Sequence, residues 1–287
     1  MDGALVVDKP EGWTSHDVVN RVRRLANTKK VGHLGTLDPM ATGVLPVLIG
    51  RATRLAQFFN RGAKTYDAAV RFGFSTGTYD RMGAATSAET AVEVTAETLE
   101  PLLDAFRGKF LQTPPPVSAK KIKGTPAYKF ARHNVEVTLE PVEVEVYELT
   151  LLEASGSVAR LRCSCSAGTY LRGIAHDLGR TLGCGAHLIA LRRTAAGPFT
   201  IAQARTLAEL EANVEAALVP AADLLPEIPT VFLDELGSTH VRQGRNFPAS
   251  PFRAQAGSRY VKAVSGGELV AIGEGVLPNL YHPVVVL

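Results

Sequence analysis

Cysteine is scarce in this chain, and its placement points away from the structures cysteines most often build. Only Cys163, Cys165 and Cys184 occur in 287 residues, and no two form a C-x-x-C pair. Neither a zinc site nor a disulfide framework is therefore indicated, and the thiols read as core residues in a reducing compartment. Also missing are a G-x-x-x-x-G-K-[ST] loop, a G-x-G-x-x-G turn following a strand, and a His/Cys/Asp/Glu cluster at metal-ligand spacing. ATP, nicotinamide and zinc chemistry have no motif to support them, so no cofactor and no metal is expected. No apolar run approaches the length of a membrane span. The N-terminus, M-D-G-A-L-V-V-D-K-P, has neither a basic leader nor a long apolar core, so no signal peptide is read. A cytoplasmic protein without membrane contact is the expectation. Low-complexity tracts and internal repeats are absent as well.

What is present suffices for a large core. Hydrophobic residues make up 46% of the chain, and its length suits one large domain beside a small one. The net charge is +3 and the pI about 8.8, which permits an anionic partner without demanding one. A short strand is expected over 5–9. Ser15 predicts a helix N-cap, with Asp17 in the first turn and Val18, Val19, Val22, Leu25 and Ala26 at helical spacing. Arg21, Arg23, Arg24, Lys29 and Lys30 decorate that helix and its exit; they suit a solvated face or a phosphate-binding one. Helix is expected again over 51–59, over 96–106 behind Thr95, and from the Thr206-x-x-Glu209 capping box to about 217. Thr169 predicts the cap of a helix ending near Gly183.

Tyr66, Ala68 and Val70 alternate as one face of a strand, and so do Leu161, Cys163 and Cys165. Further strands are expected over 135–139 and 142–146. Residues 76–90 are polar and glycine-rich and predict a flexible loop. Lys120, Lys121, Lys123, Lys129 and Arg132 interleave with Tyr128 and Phe130, a mixture that suits RNA or an ordinary basic helix start. His176 and His187 lack a carboxylate or Cys at ligand spacing and read as structural histidines. Pro220, Pro226 and Pro229 mark a junction between domains. Beyond it, Gly266-Gly267 between two alternating runs predicts a hairpin, and the last residues a final strand.

The chain is organised around residues 31–48, V-G-H-L-G-T-L-D-P-M-A-T-G-V-L-P-V-L. Asp38 lies between Leu37 and Pro39, and a residue before proline is pushed toward extended geometry. Gly32, Gly35 and Gly43 allow tight turns or close approach. Such a segment can hold one acid rigidly at the edge of a buried sheet. Read alone, it describes an Asp-Pro turn at least as well.

The run G-H-x-G-T-L-D-P-x-A-T-G-V-L-P resembles the active-site loop of the TruB family of tRNA pseudouridine synthases, with Leu34 where the family usually carries Thr or Ser. K-P-E-G-W-T-S-H-D-V-V, K-x-Y at 64–66, K-x-x-G-x-x-A-Y-x-x-A-R, C-S-A-G-T-Y-L-R and L-R-R are similar to further family segments, in the family's order. The resemblance implies an α+β, pseudouridine-synthase fold with a central mixed, mainly antiparallel sheet flanked by helices. It further implies a catalytic domain over 1–225 and a PUA-like, RNA-binding β-barrel over 226–287. Asp38 would be the catalytic nucleophile, Arg172 its partner, and Tyr66 the ring that stacks on the target base. His33 would fill the space left by a flipped nucleotide, Tyr170 and Leu191 would line the base pocket, and Lys9 and Gly32 would bind substrate. The implied target is the uridine at position 55 in the T-arm of tRNA. A monomer with no obligate protein partner is expected.

The chemistry is consistent with the motifs that are missing. Turning uridine into pseudouridine breaks C1′–N1 and makes C1′–C5, with no net redox change and no added group. An Asp is already ionised at neutral pH, since its reference pKa is about 3.9, so it can act as a nucleophile without a base to activate it. A uridine in folded RNA must first leave its stack. Three rivals remain at this stage. One is a dyskerin-type synthase working with guide RNA and partner proteins, another a non-catalytic RNA-binding protein. The third, an RNA methyltransferase joined to a PUA module, lacks a nucleotide-cofactor loop.

Overall fold

The computed structural model describes residues 1–118, 139–249 and 258–287, together with the backbone of 121–122 and 125–126. The strands are β1 (Gly3–Lys9), β2 (Val31–His33), β3 (Thr42–Ile49), β4 (Lys64–Phe72), β5 (Gly108–Gln112), β6 (Lys121–Ile122), β7 (Thr125–Pro126), β8 (Val142–Ser155) and β9 (Val158–Cys165). They continue with β10 (Ala186–Ala196), β11 (Phe199–Thr200), β12 (Val219–Pro220), β13 (Thr230–Phe232), β14 (Phe247–Pro248), β15 (Tyr260–Ser265), β16 (Glu268–Leu277) and β17 (Leu280–Val286). The helices are α1 (Ser15–Leu25), α2 (Ala56–Phe59), α3 (Ala96–Leu103), α4 (Leu171–Thr181), α5 (Leu207–Ala212) and α6 (Glu235–Arg242).

The large sheet runs β12-β1-β3-β10-β4-β9-β8-β5, with β2 added on β3 and β11 on β10. Its β10–β3 pair is parallel and the others antiparallel, so the sheet is mixed and mainly antiparallel, as expected. Sequence alternation explains its far half. Tyr66, Ala68, Val70 and Phe72 of β4 are buried, as are Ala159, Leu161, Cys163 and Cys165 of β9, while Arg160 and Arg162 are exposed. The near half is buried on both faces, which calls for continuous apolar runs. In β1, Leu5 and Val7 pack with Val18, Val19 and Val22 of α1. Ala4 and Val6 face the opposite way and pack with Ile272, Val285 and Leu287. A second sheet, β13-β15-β16-β17-β14, curls into a half-barrel consistent with the PUA-like module. Its β15–β16 turn is the Gly266-Gly267 hairpin, both glycines at positive φ (58° and 83°).

Several boundaries differ from the sequence reading. The cap of α1 is Thr14, not Ser15: its side chain accepts from Asp17 N while Asp17 caps the Thr14 N–H in return. The stretch over 51–59 is a 3₁₀ turn, Gly50–Leu55, running into α2. α3 gives way at Leu103 to a 3₁₀ turn, Asp104–Phe106, and α5 stops at Ala212. The segment over 76–90 is more ordered than its composition suggests, with bridges Thr76–Ala85 and Asp80–Leu188. The strand expected over 135–138 lies outside the described residues. So do Lys120, Lys123, Tyr128, Lys129, Phe130 and Arg132 of the basic–aromatic segment. Among the described residues no helix is long and apolar enough to cross a membrane.

Candidate active site

Asp38 follows a loop that is pinned on both sides. Upstream, the Leu37 N–H donates to Ser15 Oγ at 2.8 Å, and that hydroxyl donates back to Leu37 O at 3.2 Å. Downstream, Pro39 O accepts from the Gly12 N–H at 2.8 Å and from Lys9 Nζ at 3.3 Å. The loop then enters β3 at Gly43, whose φ of +98° suits glycine, and a Cβ there would lie 2.2 Å from Arg193 O. This is the close crossing of β3 and β10 that the glycine permits.

Arg172 comes from the first turn of α4, where strand β9 gives way to helix. The cap position is Tyr170 rather than Thr169, and it has no side-chain cap. Gln112, 2% exposed, instead brackets Tyr170: its Oε1 accepts from Tyr170 N and its Nε2 donates to Tyr170 O, both at 2.9 Å. The Arg172 guanidinium is buried. Nη2 donates to Asp38 Oδ1 at 3.2 Å and to Val117 O at 2.9 Å, and Nη1 donates to Thr78 O at 3.0 Å. Nε lies 2.9 Å from Asp38 Oδ2 without hydrogen-bond alignment. A second carboxylate, Asp80, stands 3.6 Å from Nη1 and is itself buried. Its Oδ1 accepts from Thr78 Oγ1 at 2.6 Å and from Met82 N at 2.9 Å.

Asp38 and Arg172 open onto a cavity of about 320 Å³ walled by Tyr66, Tyr170 and Leu191, with Asn60, Lys64 and Thr169 also reaching it. That volume falls at the small end of ligand pockets. Burial pushes the Asp38 carboxyl above its ordinary value, against the attraction of Arg172, and the nearby Asp80 adds to the rise. Burial also pushes the Tyr66 phenol up to about 12, against the pull of Arg193. Tyr66 is thus neutral at physiological pH. Arg193 sits directly opposite Tyr66 across the β10–β4 pairing. It is fully buried, donating through Nε to Val44 O at 2.6 Å and through Nη2 to Gly35 O at 3.1 Å.

Asp38, Tyr66, Arg172, Tyr170 and Leu191 are therefore brought together, while His33, Gly32 and Lys9 do not line that cavity. Lys9 is turned inward instead. It is 0% exposed, and its ammonium donates to the carbonyls of Pro10, Trp13 and Pro39 at 2.9, 2.6 and 3.3 Å. Those three bonds use every donor an ammonium has, so Lys9 braces the loop that carries Asp38. Gly32 pairs with Leu48 in the β2–β3 ladder and faces open space where a Cβ would sit. His33, next to it on β2, is partly buried, and burial, then Arg193, holds its pKa below the ordinary value.

Sequence reasoning did not single out Asp80, Gln112, Arg193 or the loop-holding role of Ser15. Lys64 and Arg193 stood inside matched motifs, but Asp80 and Gln112 carried no local signal.

A clamped carboxylate beside a tyrosine-lined pocket, on a mixed sheet of this order, points to the class: an RNA pseudouridine synthase. Similarity to known proteins narrows it. Residues 23–171 match the TruB family pseudouridylate synthase N-terminal domain, and residues 172–226 the tRNA pseudouridylate synthase B C-terminal domain. The tRNA pseudouridine synthase B of Solibacter usitatus is 63% identical over 100% of both chains. That of Azoarcus sp. is 42% identical over 96% of this chain and 91% of its own, and that of Aquifex aeolicus 40% over 96% of each. Among solved structures, a chain of a Cbf5-Nop10-Gar1 complex superposes with a TM-score of 0.71, at 28% identity, over 96% of this chain and 79% of that one. The chain belongs to the TruB family of pseudouridylate synthases.

Proposed function

We propose that the protein converts uridine to pseudouridine at position 55 in the T-arm of tRNA, with Asp38 as the covalent nucleophile. The observation that carries this is the Asp38–Arg172 pair, opening onto a cavity walled by Tyr66, Tyr170 and Leu191. The target uridine leaves its stack and enters that cavity. Asp38 attacks as a carboxylate, and Arg172 keeps it charged and aimed. Asp38 becomes bonded to the nucleoside as C1′–N1 breaks; the base turns, C1′–C5 forms, the bond to Asp38 breaks and returns the carboxylate, and the C5 proton is lost as N1 gains one. Tyr66 stacks on the base, an interaction worth roughly 1–3 kcal/mol in single-strand binders. Leu191 and Tyr170 close the pocket, and His33, uncharged at neutral pH, takes the space the nucleotide vacates.

The division into a catalytic unit, 1–225, and an RNA-binding unit, 226–287, belongs to the same reading. So does action as a cytoplasmic monomer with tRNA as its only obligate partner. The test is release of tritium from tRNA labelled at uridine C5. The wild-type chain alone, on unmodified tRNA, is expected to release one tritium per target, and Asp38→Asn to release none above background. Undiminished release by Asp38→Asn would remove the nucleophile assignment. Release only after guide RNA or protein partners are added would favour a dyskerin-type enzyme.

A further inference from the structure

Tyr79 is a tyrosine in a backbone conformation that bulky L-residues rarely adopt: its φ is +62°. Strain of this kind persists only where its surroundings hold it in place, and here they can be named. The ring stacks on His176, with centroids 3.8 Å apart and planes 8° from parallel. His176 lies one turn beyond Arg172 on α4, so both project from one helix face. The residues on either side of Tyr79 both reach Arg172: Thr78 O accepts from Nη1 at 3.0 Å, and Asp80 Oδ2 stands 3.6 Å from it. The other side of the segment is tied to β10, since the Leu188 N–H donates to Tyr79 O at 3.0 Å and the Arg81 N–H to Leu188 O at 2.9 Å. Gly83 turns back beneath it, so close that a Cβ would fall 2.5 Å from Thr78 Oγ1.

The left-handed twist at Tyr79 has a geometric consequence. It lets consecutive residues send a carbonyl and a carboxylate to one turn of α4 and an aromatic ring to the next. We infer that Tyr79 is a positioning residue, whose stack on His176 locks residues 78–80 onto α4 and so keeps the Arg172 guanidinium aimed at Asp38. The inference rests on the reading of Asp38 and Arg172 as the reacting pair.

The test measures single-turnover tritium release and tRNA affinity for wild type, Tyr79→Gly, Tyr79→Phe and His176→Ala, with a thermal melt of each. Glycine is at home at φ +62°, so Tyr79→Gly removes the ring without straining the backbone, and it is expected to melt near wild type. Its rate constant at saturating enzyme is expected to fall about tenfold or more, as misplaced catalytic groups do, with tRNA affinity unchanged. Tyr79→Phe keeps the stack and is expected to restore most of the rate. His176→Ala should match Tyr79→Gly, and the double variant should be no slower than either single one. A wild-type rate in Tyr79→Gly, or a Tyr79→Phe as slow as Tyr79→Gly, would overturn the inference. Lost affinity with an intact rate would overturn it too, marking Tyr79 as an RNA contact. Failure of the underlying function would show in the wild type itself, which would release no tritium.

Discussion

The Asp38 carboxyl sits where burial and a cation pull in opposite directions. Burial is the largest influence on Asp38 and raises its pKa, Arg172 opposes this, and Asp80 adds to the rise. The folded protein therefore binds a proton at this site more tightly than the unfolded chain does. Whatever stability Asp38 supplies is present below its unfolded value of about 3.9 and is lost as pH rises through the raised folded value. Wherever it is ionised, the carboxylate works against the fold. Asp38→Asn is accordingly expected to melt at or above the wild-type temperature in calorimetry at a pH where the wild-type carboxyl is ionised; a clear fall would mean that the ion pair holds the fold together. Asp80 gives a second prediction. Removing its charge lowers the Asp38 pKa, so the acid limb of the single-turnover rate should move to lower pH in Asp80→Asn. The plateau should drop by roughly 10²-fold as Arg172 loses one of its restraints. A limb that stays put or moves to higher pH would contradict this electrostatic account.

Adjacent residues at the start of α1 do two different jobs. Thr14 closes a capping box with Asp17 on an exposed helix end. Its replacement by Ala should cost about 1 kcal/mol of stability and leave the rate near wild type. Ser15 is buried and reaches Leu37, next to Asp38. Ser15→Ala leaves the buried Leu37 N–H unpaired, at a cost of about 1–3 kcal/mol, and should slow tritium release as well. Equal effects of the two substitutions on rate would show that α1 does not position the loop. The pair also marks how far the sequence is legible. Ser and Thr before an apolar periodicity announce a helix start, and β4 and β9 show themselves because one face of each is buried. It took the family resemblance to group Asp38, Tyr66, Arg172, Tyr170 and Leu191, which the residues alone did not join. What could not be read is whatever depends on distant backbone. Ser15 finds its partner 22 residues on, Lys9 finds Pro39 O 30 residues on, and Asp80 is ordered by Leu188 and Arg172. A buried lysine satisfied by carbonyls and an exposed one awaiting a phosphate have the same one-letter code.

At the scale of the molecule, the two sheets share a core rather than standing apart. β1 is the divider: Leu5 and Val7 belong to the cluster with α1, Ala4 and Val6 to the cluster with the second sheet. That second cluster joins Leu48, Leu55 and Phe59 to Val264, Leu269, Ile272, Val285 and Leu287. Polar ties follow the same seam, as Lys262 Nζ donates to the carbonyls of Ala222 and Leu224 at 2.9 and 3.1 Å and Arg54 Nη1 donates to Val286 O. The second sheet therefore covers an apolar face that the large sheet would otherwise expose, and the two should unfold together. The chain's one tryptophan makes this measurable. Trp13 lies beside the catalytic loop, its carbonyl bound by Lys9, whereas Ile272 is fully buried in the second sheet. Ile272→Ala should destabilise by about 2–5 kcal/mol. If the core is continuous, the denaturation midpoint read from Trp13 fluorescence should move by as much as the midpoint read from far-ultraviolet circular dichroism. A Trp13 midpoint that stays at its wild-type value while the dichroism transition splits in two would show instead that the catalytic sheet keeps its stability without the cover.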